Sequence, residues 1–163
     1  MQFSRLALLC ALLTSQLLLA CSGPTGNSNA VNSSAANSAN TDQTGPKDNI
    51  EELGLLVRLP FEPEEVAWKE KQEQKKLIAV MRFSPENAQK MAGEVAKNGP
   101  GSPETLTVES WFPNELIAQA ELTGESIVKG QSYPAEPFLN PPYTKGRITR
   151  VENTDYFILQ ISS

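Results

Sequence analysis

The stretch LIAVMRF, from Leu77 to Phe83, and the SPENAQKMAGEVA that follows it, from Ser84 to Ala96, decide the fold. The first is an almost continuous apolar run, which is typical of a central strand buried on both faces. In the second, Ser at an N-cap is followed by Pro at the first helical position, which marks the start of a helix. A buried strand that leads directly into a helix predicts a domain in which helices cover a sheet.

The predicted helix carries a narrow apolar stripe of mostly small side chains. Its apolar residues recur at i, i+3, i+4, i+7 and i+8, and they are Ala88, Met91, Ala92, Val95 and Ala96. Such a stripe allows the helix to pack closely against a sheet. The sequence Gly99-Pro100-Gly101 is predicted to end the helix. A second, shorter helix is predicted between Pro113 and Gly124, with an apolar face made of Leu116, Ile117 and Ala120.

Further strands are predicted on both sides of this centre. Glu65 to Lys71 places Val66 and Trp68 on one side and mostly charged residues on the other, and the polar Gln72 to Gln74 joins it to the central strand as a hairpin loop. The other predicted strands are Leu55 to Leu59, Thr105 to Trp111, and a hairpin of Gly146 to Glu152 with Asp155 to Ile161 around Asn153-Thr154. This order predicts an α+β fold, a mainly antiparallel sheet with two short helices packed on one face.

Composition excludes several classes of mechanism. The 163 residues are 39% hydrophobic and 20% charged, close to the globular average, so the whole chain is neither a disordered tail nor a multi-span membrane protein. The chain has no histidine and two cysteines, which excludes an imidazole base and a Cys/His zinc site. Its 14 basic residues are outnumbered by 19 acidic ones and form no basic stripe with interleaved aromatics, so nucleic acid is not an expected partner.

The first twenty residues have the layout of a secretory signal peptide. Arg5 precedes an apolar run from Leu6 to Ala20, which as a helix is roughly 22 Å long and therefore short of a membrane core of about 30 Å. The run ends in Leu18-Leu19-Ala20-Cys21, which resembles the lipobox of bacterial lipoprotein precursors. That resemblance implies cleavage before Cys21 and attachment of a diacylglyceryl group with acyl chains such as palmitate to its sulfur. The alternatives are an ordinary cleaved signal peptide and an uncleaved N-terminal anchor.

Residues 22 to 48 are predicted to be a disordered tether. They are almost entirely Ser, Asn, Ala, Thr, Gly, Pro and Gln, with Val31 as the only large apolar side chain, and cannot bury enough surface to offset the entropy of ordering. The organisation predicted is a signal peptide at 1–20, a lipidated Cys with its tether at 21–48, and a single α+β domain at 49–163. In the lipoproteins that the lipobox resembles, Ser22 after the Cys implies an outer-membrane location facing the periplasm if the organism is Gram-negative.

Three sets of polar residues are candidates for chemistry. Ser126 and Lys129 match the S-x-x-K nucleophile motif of penicillin-binding proteins and β-lactamases, although the S-D-N and K-T-G motifs that accompany it are missing. An acidic cluster could bind Ca²⁺, but it lacks the spacing of a calcium loop and is interpreted as a solvated acidic face. A Glu-Asp pair could serve acid-base hydrolysis, but such pairs also occur by chance in a domain rich in carboxylates. These carboxylates are Glu51, Glu52, Glu62, Glu64, Glu65, Glu152 and Asp155. A third set, Lys145, Arg147 and Arg150, is either an anion site or a solvated strand face.

The segment from Tyr133 to Tyr143 is rich in proline and aromatic residues and is predicted to be a stiff loop. In one interpretation Phe138, Leu139 and one tyrosine fold back to cover the sheet. In the other, aromatic side chains remain exposed and contact a partner or ligand. The candidate contact residues are Trp111, Phe112, Tyr133, Phe138 and Tyr143.

We interpret the chain as a membrane-anchored envelope lipoprotein whose small globular domain is a binding or assembly module. The expected partners are the membrane, through the lipid on Cys21, and an envelope protein; no cofactor and no metal is expected. One alternative is a small envelope hydrolase that uses carboxylates or the Ser126/Lys129 pair. Another is a small-ligand carrier, which requires an apolar cavity of at least about 300 Å³.

Overall fold

The computed structural model describes residues 45–163. The predicted signal peptide, Cys21 and most of the predicted tether lie outside the described residues. The last residues of the predicted tether are described, and there the backbone N–H groups of Lys47 and Trp68 each donate to the carbonyl of the other at 2.8 Å. The regular structure therefore begins slightly before the predicted domain boundary at residue 49.

The described residues form one six-stranded sheet in which every neighbouring pair of strands is antiparallel. The strands are β1 (Glu65–Lys71), β2 (Lys76–Arg82), β3 (Ser102–Thr107), β4 (Ile127–Pro134), β5 (Lys145–Val151) and β6 (Tyr156–Ser162). Their spatial order is β1-β2-β6-β5-β4-β3, so the last strand of the chain lies in the middle and β1 and β3 are the edges. The prediction of an α+β fold with a mainly antiparallel sheet is confirmed.

Apolar residues cover both faces of the central strands. In β2, Leu77, Ala79 and Met81 belong to one buried cluster, whereas Val80 belongs to a second cluster on the other side. Strand β6 divides in the same way, since successive side chains of a strand point to opposite faces. Its residues Phe157, Leu159 and Ile161 join the first cluster, and Tyr156 and Ile158 join the second. Each face of the sheet therefore requires its own cover.

Helices α2 (Pro85–Ala96) and α3 (Asn114–Thr123) supply these covers on opposite faces. The α2 helix starts as predicted, with the hydroxyl of Ser84 accepting a hydrogen bond from the backbone N–H of Asn87 at 3.2 Å. The α3 helix ends at Gly124, which has a φ of 71°. The buried residues of α2 lie in the first cluster and those of α3 in the second. We call the two sides of the sheet the α2 face and the α3 face.

The prediction of two short helices on one face is therefore not confirmed. Besides α2 and α3, the described residues contain a third α-helix, α1 (Ile50–Leu56), which lies on the α2 face. It includes part of the segment predicted as a strand from Leu55 to Leu59, and that strand prediction is wrong. The side chain of Asn49 caps α1 by accepting from the backbone N–H of Glu52 at 2.8 Å. Leu53 packs into the core, which fixes the segment as a helix.

None of the helices between residues 45 and 163 is long and apolar enough to cross a membrane.

Candidate functional site

The five aromatic residues predicted to contact a partner do not form one surface. Trp111 and Phe112 pack with the cluster on the α3 face, whereas Tyr133, Phe138 and Tyr143 pack with the cluster on the α2 face. Phe112, Phe138 and Tyr143 are buried, with exposed fractions of 7% or less. Only Trp111 and Tyr133 are partly accessible, and the sheet separates them.

The proline-rich segment folds back onto the domain. Phe138 and Leu139 are buried in the cluster on the α2 face, and Leu139 forms an isolated antiparallel bridge with Val57, the residue that follows α1. The Tyr143 hydroxyl donates to the Glu70 carboxylate at 2.6 Å. This arrangement corresponds to the interpretation in which Phe138, Leu139 and one tyrosine, here Tyr143, fold back to cover the sheet.

Trp111 is held in place by its neighbours. Its indole N–H donates to the Glu109 carboxylate at 2.7 Å, and the ring lies edge-to-face against Phe112 with 4.7 Å between centroids. The Lys69 ammonium lies 5.4 Å from the indole centroid, within the range of a cation-π contact. These contacts within the domain fix the position of the Trp111 ring, so no partner is needed to explain it.

Ser126 and Lys129 do not form a recognisable Ser-Lys pair. Ser126 occupies a left-handed turn, with a φ of 53°, and its carbonyl accepts from the backbone N–H of Val108 at 2.9 Å. Lys129 lies in β4, and both residues are exposed. In the Ser-Lys enzymes the two side chains lie one helical turn apart on the same helix, and neither residue here is helical.

Three carboxylates of the candidate acidic cluster are engaged by two basic residues. Glu52 pairs with Lys47, and the carboxylates of Glu64 and Glu65 lie 3.3 and 2.5 Å from the guanidinium of Arg82. Within residues 45–163, no group of three His, Cys, Asp or Glu residues is placed to hold a metal ion.

Arg147 belongs to a polar network on the α3 face. Its Nε donates to the Ser132 hydroxyl at 2.8 Å and lies 3.2 Å from the Glu104 carboxylate. The Thr149 hydroxyl donates to the Ser132 hydroxyl at 3.1 Å, and both of these hydroxyl residues are buried. The network satisfies its own buried polar groups, so the positive charge of Arg147 is engaged within the sheet.

A pocket beside α1, which we call the α1 pocket, has a more apolar lining than the larger concavity of about 490 Å³ that lies beside Tyr133 and Arg150. It has a volume of about 360 Å³ and lies between the helix and the segment that follows it. Its lining is mostly apolar and consists of Ile50, Leu53, Gly54, Val57, Arg58, Leu59, Phe61, Glu62 and Pro63. Leu55, in the same helix, is 75% exposed. The sequence interpretation missed these residues because it assigned Leu55 to Leu59 to a strand; the cap at Asn49 and the spacing of Ile50, Leu53 and Val57 were the available signal.

Two charged residues and one glycine shape the α1 pocket. The backbone N–H of Arg58 donates to the Phe138 carbonyl at 2.7 Å, and its side-chain Nη2 donates to the Leu139 carbonyl at 3.3 Å. Glu62 is exposed and also lines the pocket. A Cβ added at Gly54 would meet nothing within 4 Å, so this position leaves one wall open.

Two buried tyrosines pair with carboxylates on opposite faces of the sheet. Burial and the hydrogen bond to Glu70 raise the pKa of Tyr143 well above its usual value. Burial and the neighbouring charge of Glu115 raise the pKa of Tyr156 to about 12. Both phenols therefore remain protonated at neutral pH and act as hydrogen-bond donors.

These tyrosines predict a loss of stability in alkali. An unfolded tyrosine ionises near pH 10, whereas the folded protein keeps both phenols protonated to higher pH, so the free energy of unfolding should fall as pH rises above about 10. Denaturant unfolding at pH 8 and pH 11 measures this fall. The double variant Tyr143→Phe, Tyr156→Phe should show a smaller fall, and an identical fall in both proteins would contradict the prediction.

No protein family model, curated protein or solved structure matches the chain.

Proposed function

We propose that the protein is a lipid-anchored lipoprotein of the cell envelope whose folded domain is a ligand-binding module. The anchor is supported by the Leu18-Leu19-Ala20-Cys21 sequence at the end of an apolar run that is short for a membrane span. Acyl chains on Cys21 would contribute about 0.8 kcal/mol for each buried methylene, which is enough for stable anchoring when two or three chains are present. If the organism is Gram-negative, Ser22 favours the periplasmic side of the outer membrane.

The observation that carries the binding role is the α1 pocket. Its volume of about 360 Å³ exceeds the roughly 300 Å³ at which small-molecule sites begin, and its lining is mostly apolar with two charged groups. This is the composition expected of a site that holds an apolar ligand and orients it through a few polar contacts. The small-ligand carrier therefore becomes the preferred form of the binding module.

A second candidate role, assembly with an envelope protein, is supported by the open edge of β3. The backbone N–H of Val108 bonds to Ser126 on the β4 side, so the alternate residues Thr105 and Thr107 direct their backbone groups away from β4. Such an edge can accept an extended peptide as an added strand. Pro103 lacks an N–H and limits the length of strand that could pair there.

The anchor predicts a specific effect of Cys21→Ser. This variant should remain an unprocessed, unlipidated precursor, because the residue to which the lipid attaches is lost. The intact mass of the protein extracted from membranes measures both changes. Cys10→Ser is the matched control, since it replaces the other cysteine of the chain within the apolar run and should be processed normally. A Cys21→Ser protein with the normal mature mass would contradict the proposed lipid anchor.

A further inference from the structure

We infer that the α1 pocket binds the acyl chain of a singly acylated phospholipid with a zwitterionic headgroup. The inference names the ligand of the binding module proposed above and rests on that proposal. It is carried by the dimensions of the α1 pocket, by the two charges that line it, and by its position in the chain close to the predicted membrane anchor.

The size and lining of the pocket favour one hydrocarbon chain. A volume of about 360 Å³ lies near the lower end of the range for small-molecule sites, about 300 to 1,000 Å³, which leaves little room for a second chain. Leu53 and Val57 form the buried floor, and half-buried Leu59 and Phe61 form part of the wall. Each methylene group of the chain that moves from water onto such an apolar surface stabilises the complex.

The charged groups of the pocket favour a headgroup with both signs of charge. Arg58 and Glu62 are exposed, and neither forms an ion pair within 4 Å with any other described residue. The guanidinium of Arg58 donates one hydrogen bond to the Leu139 carbonyl, which leaves further N–H donors for a phosphate. Glu62 can accept from an ammonium group. A phosphoethanolamine headgroup supplies both complementary groups, a phosphate for Arg58 and an ammonium for Glu62.

The position of the pocket in the sequence favours a lipid as the ligand. Helix α1 begins at Ile50, immediately after the predicted tether that follows Cys21. If the residues between Cys21 and Lys47 form the predicted flexible coil, their root-mean-square reach would be about 28 Å. A lipidated Cys21 would thus keep the domain within a short distance of the membrane surface and of its lipids.

The test is photo-crosslinking of the whole processed protein in phosphatidylcholine vesicles. The probe is lysophosphatidylethanolamine with a diazirine in its acyl chain, and mass spectrometry maps the crosslinked residues. We expect crosslinks within residues 50–63, reduced at least fivefold by Gly54→Phe, whose ring would occupy the pocket. Gly93→Phe is the matched control, because Gly93 is also an exposed glycine in a helix with open space around it but lies outside the α1 pocket.

Further variants and probes keep each part of the inference falsifiable. Leu59→Asn, which places a polar group in the wall, should also reduce crosslinking if Gly54→Phe fails to fold. Glu62→Gln should weaken the lysophosphatidylethanolamine crosslink about fivefold but leave that of lysophosphatidic acid, which has no ammonium group, unchanged. Equal crosslinking in all variants, crosslinks outside residues 50–63, or equal capture of a diacyl probe would overturn the inference. The intact mass at Cys21 reports the anchor separately, so failure of the anchor and failure of the pocket are distinguishable.

Discussion

Phe157→Ala is expected to lower the free energy of unfolding by about 3 to 5 kcal/mol, the usual cost of truncating a fully buried phenylalanine. Phe157 has no exposed surface and lies in β6, which pairs with β2 on one side and β5 on the other. Its ring meets Phe83 edge-to-face, with 5.4 Å between centroids. The substitution removes this aromatic contact and leaves a cavity that the paired strands cannot easily close.

Leu122→Ala is the control for this truncation. Leu122 is 89% exposed in α3, so its removal should change the free energy of unfolding by less than about 0.5 kcal/mol. Denaturant unfolding of the three proteins measures both effects. A loss below about 1.5 kcal/mol for Phe157→Ala would mean that the core around β6 can collapse onto the smaller side chain.

The centre of the fold could be predicted because its signals are local. The run from Leu77 to Phe83 nearly coincides with β2, and the interval from Glu65 to Lys71 coincides with β1. The start of α2 was fixed by Ser84 and Pro85, which act through their own backbone neighbours. A strand buried on both faces, or a helix with its own cap, can be predicted from its local sequence alone.

Two elements were not predicted, because their local signals are weak and distant contacts stabilise them. Helix α1 has seven residues, too few to be stable alone, and it depends on the packing of Leu53 into the core. Strand β4 contains Gly130 and Pro134, which are poor strand formers, and pairing with β3 and β5 on its two sides sets its conformation. The α1 pocket was missed together with its helix, because the pocket exists only where α1 lies against the segment that follows it.

The arrangement of helices and aromatic residues around the sheet was also beyond the sequence pattern. The apolar stripes of α2 and α3 show that each helix is covered, but they do not show which face of the sheet covers it. The same limit applies to Trp111 and Tyr133. Both are large, partly accessible aromatic residues of the kind that contact partners, but they lie on opposite faces of the sheet. A shared residue type does not show that two residues are neighbours in the folded domain.

Gly130→Ala should destabilise the protein by about 3 kcal/mol or more, the upper end of the cost of overpacking. A Cβ at this position would lie 2.3 Å from the backbone carbonyl oxygen of Arg150 and 2.7 Å from the side chain of Thr149. The first contact is with the backbone of the paired strand β5, so no change of rotamer relieves it. The strands β4 and β5 would have to separate locally, which breaks their hydrogen bonds.

Gly93→Ala separates this steric effect from the general effect of replacing glycine. Gly93 lies in α2 with nothing within 4 Å of an added Cβ, so alanine there should stabilise the protein by about 0.5 to 1 kcal/mol through helix propensity. Denaturant unfolding should therefore give shifts of opposite sign for the two variants. A stabilising Gly130→Ala would mean that β4 and β5 are not paired as described, and the buried Ser132–Thr149 contact between the same strands would then be in doubt as well.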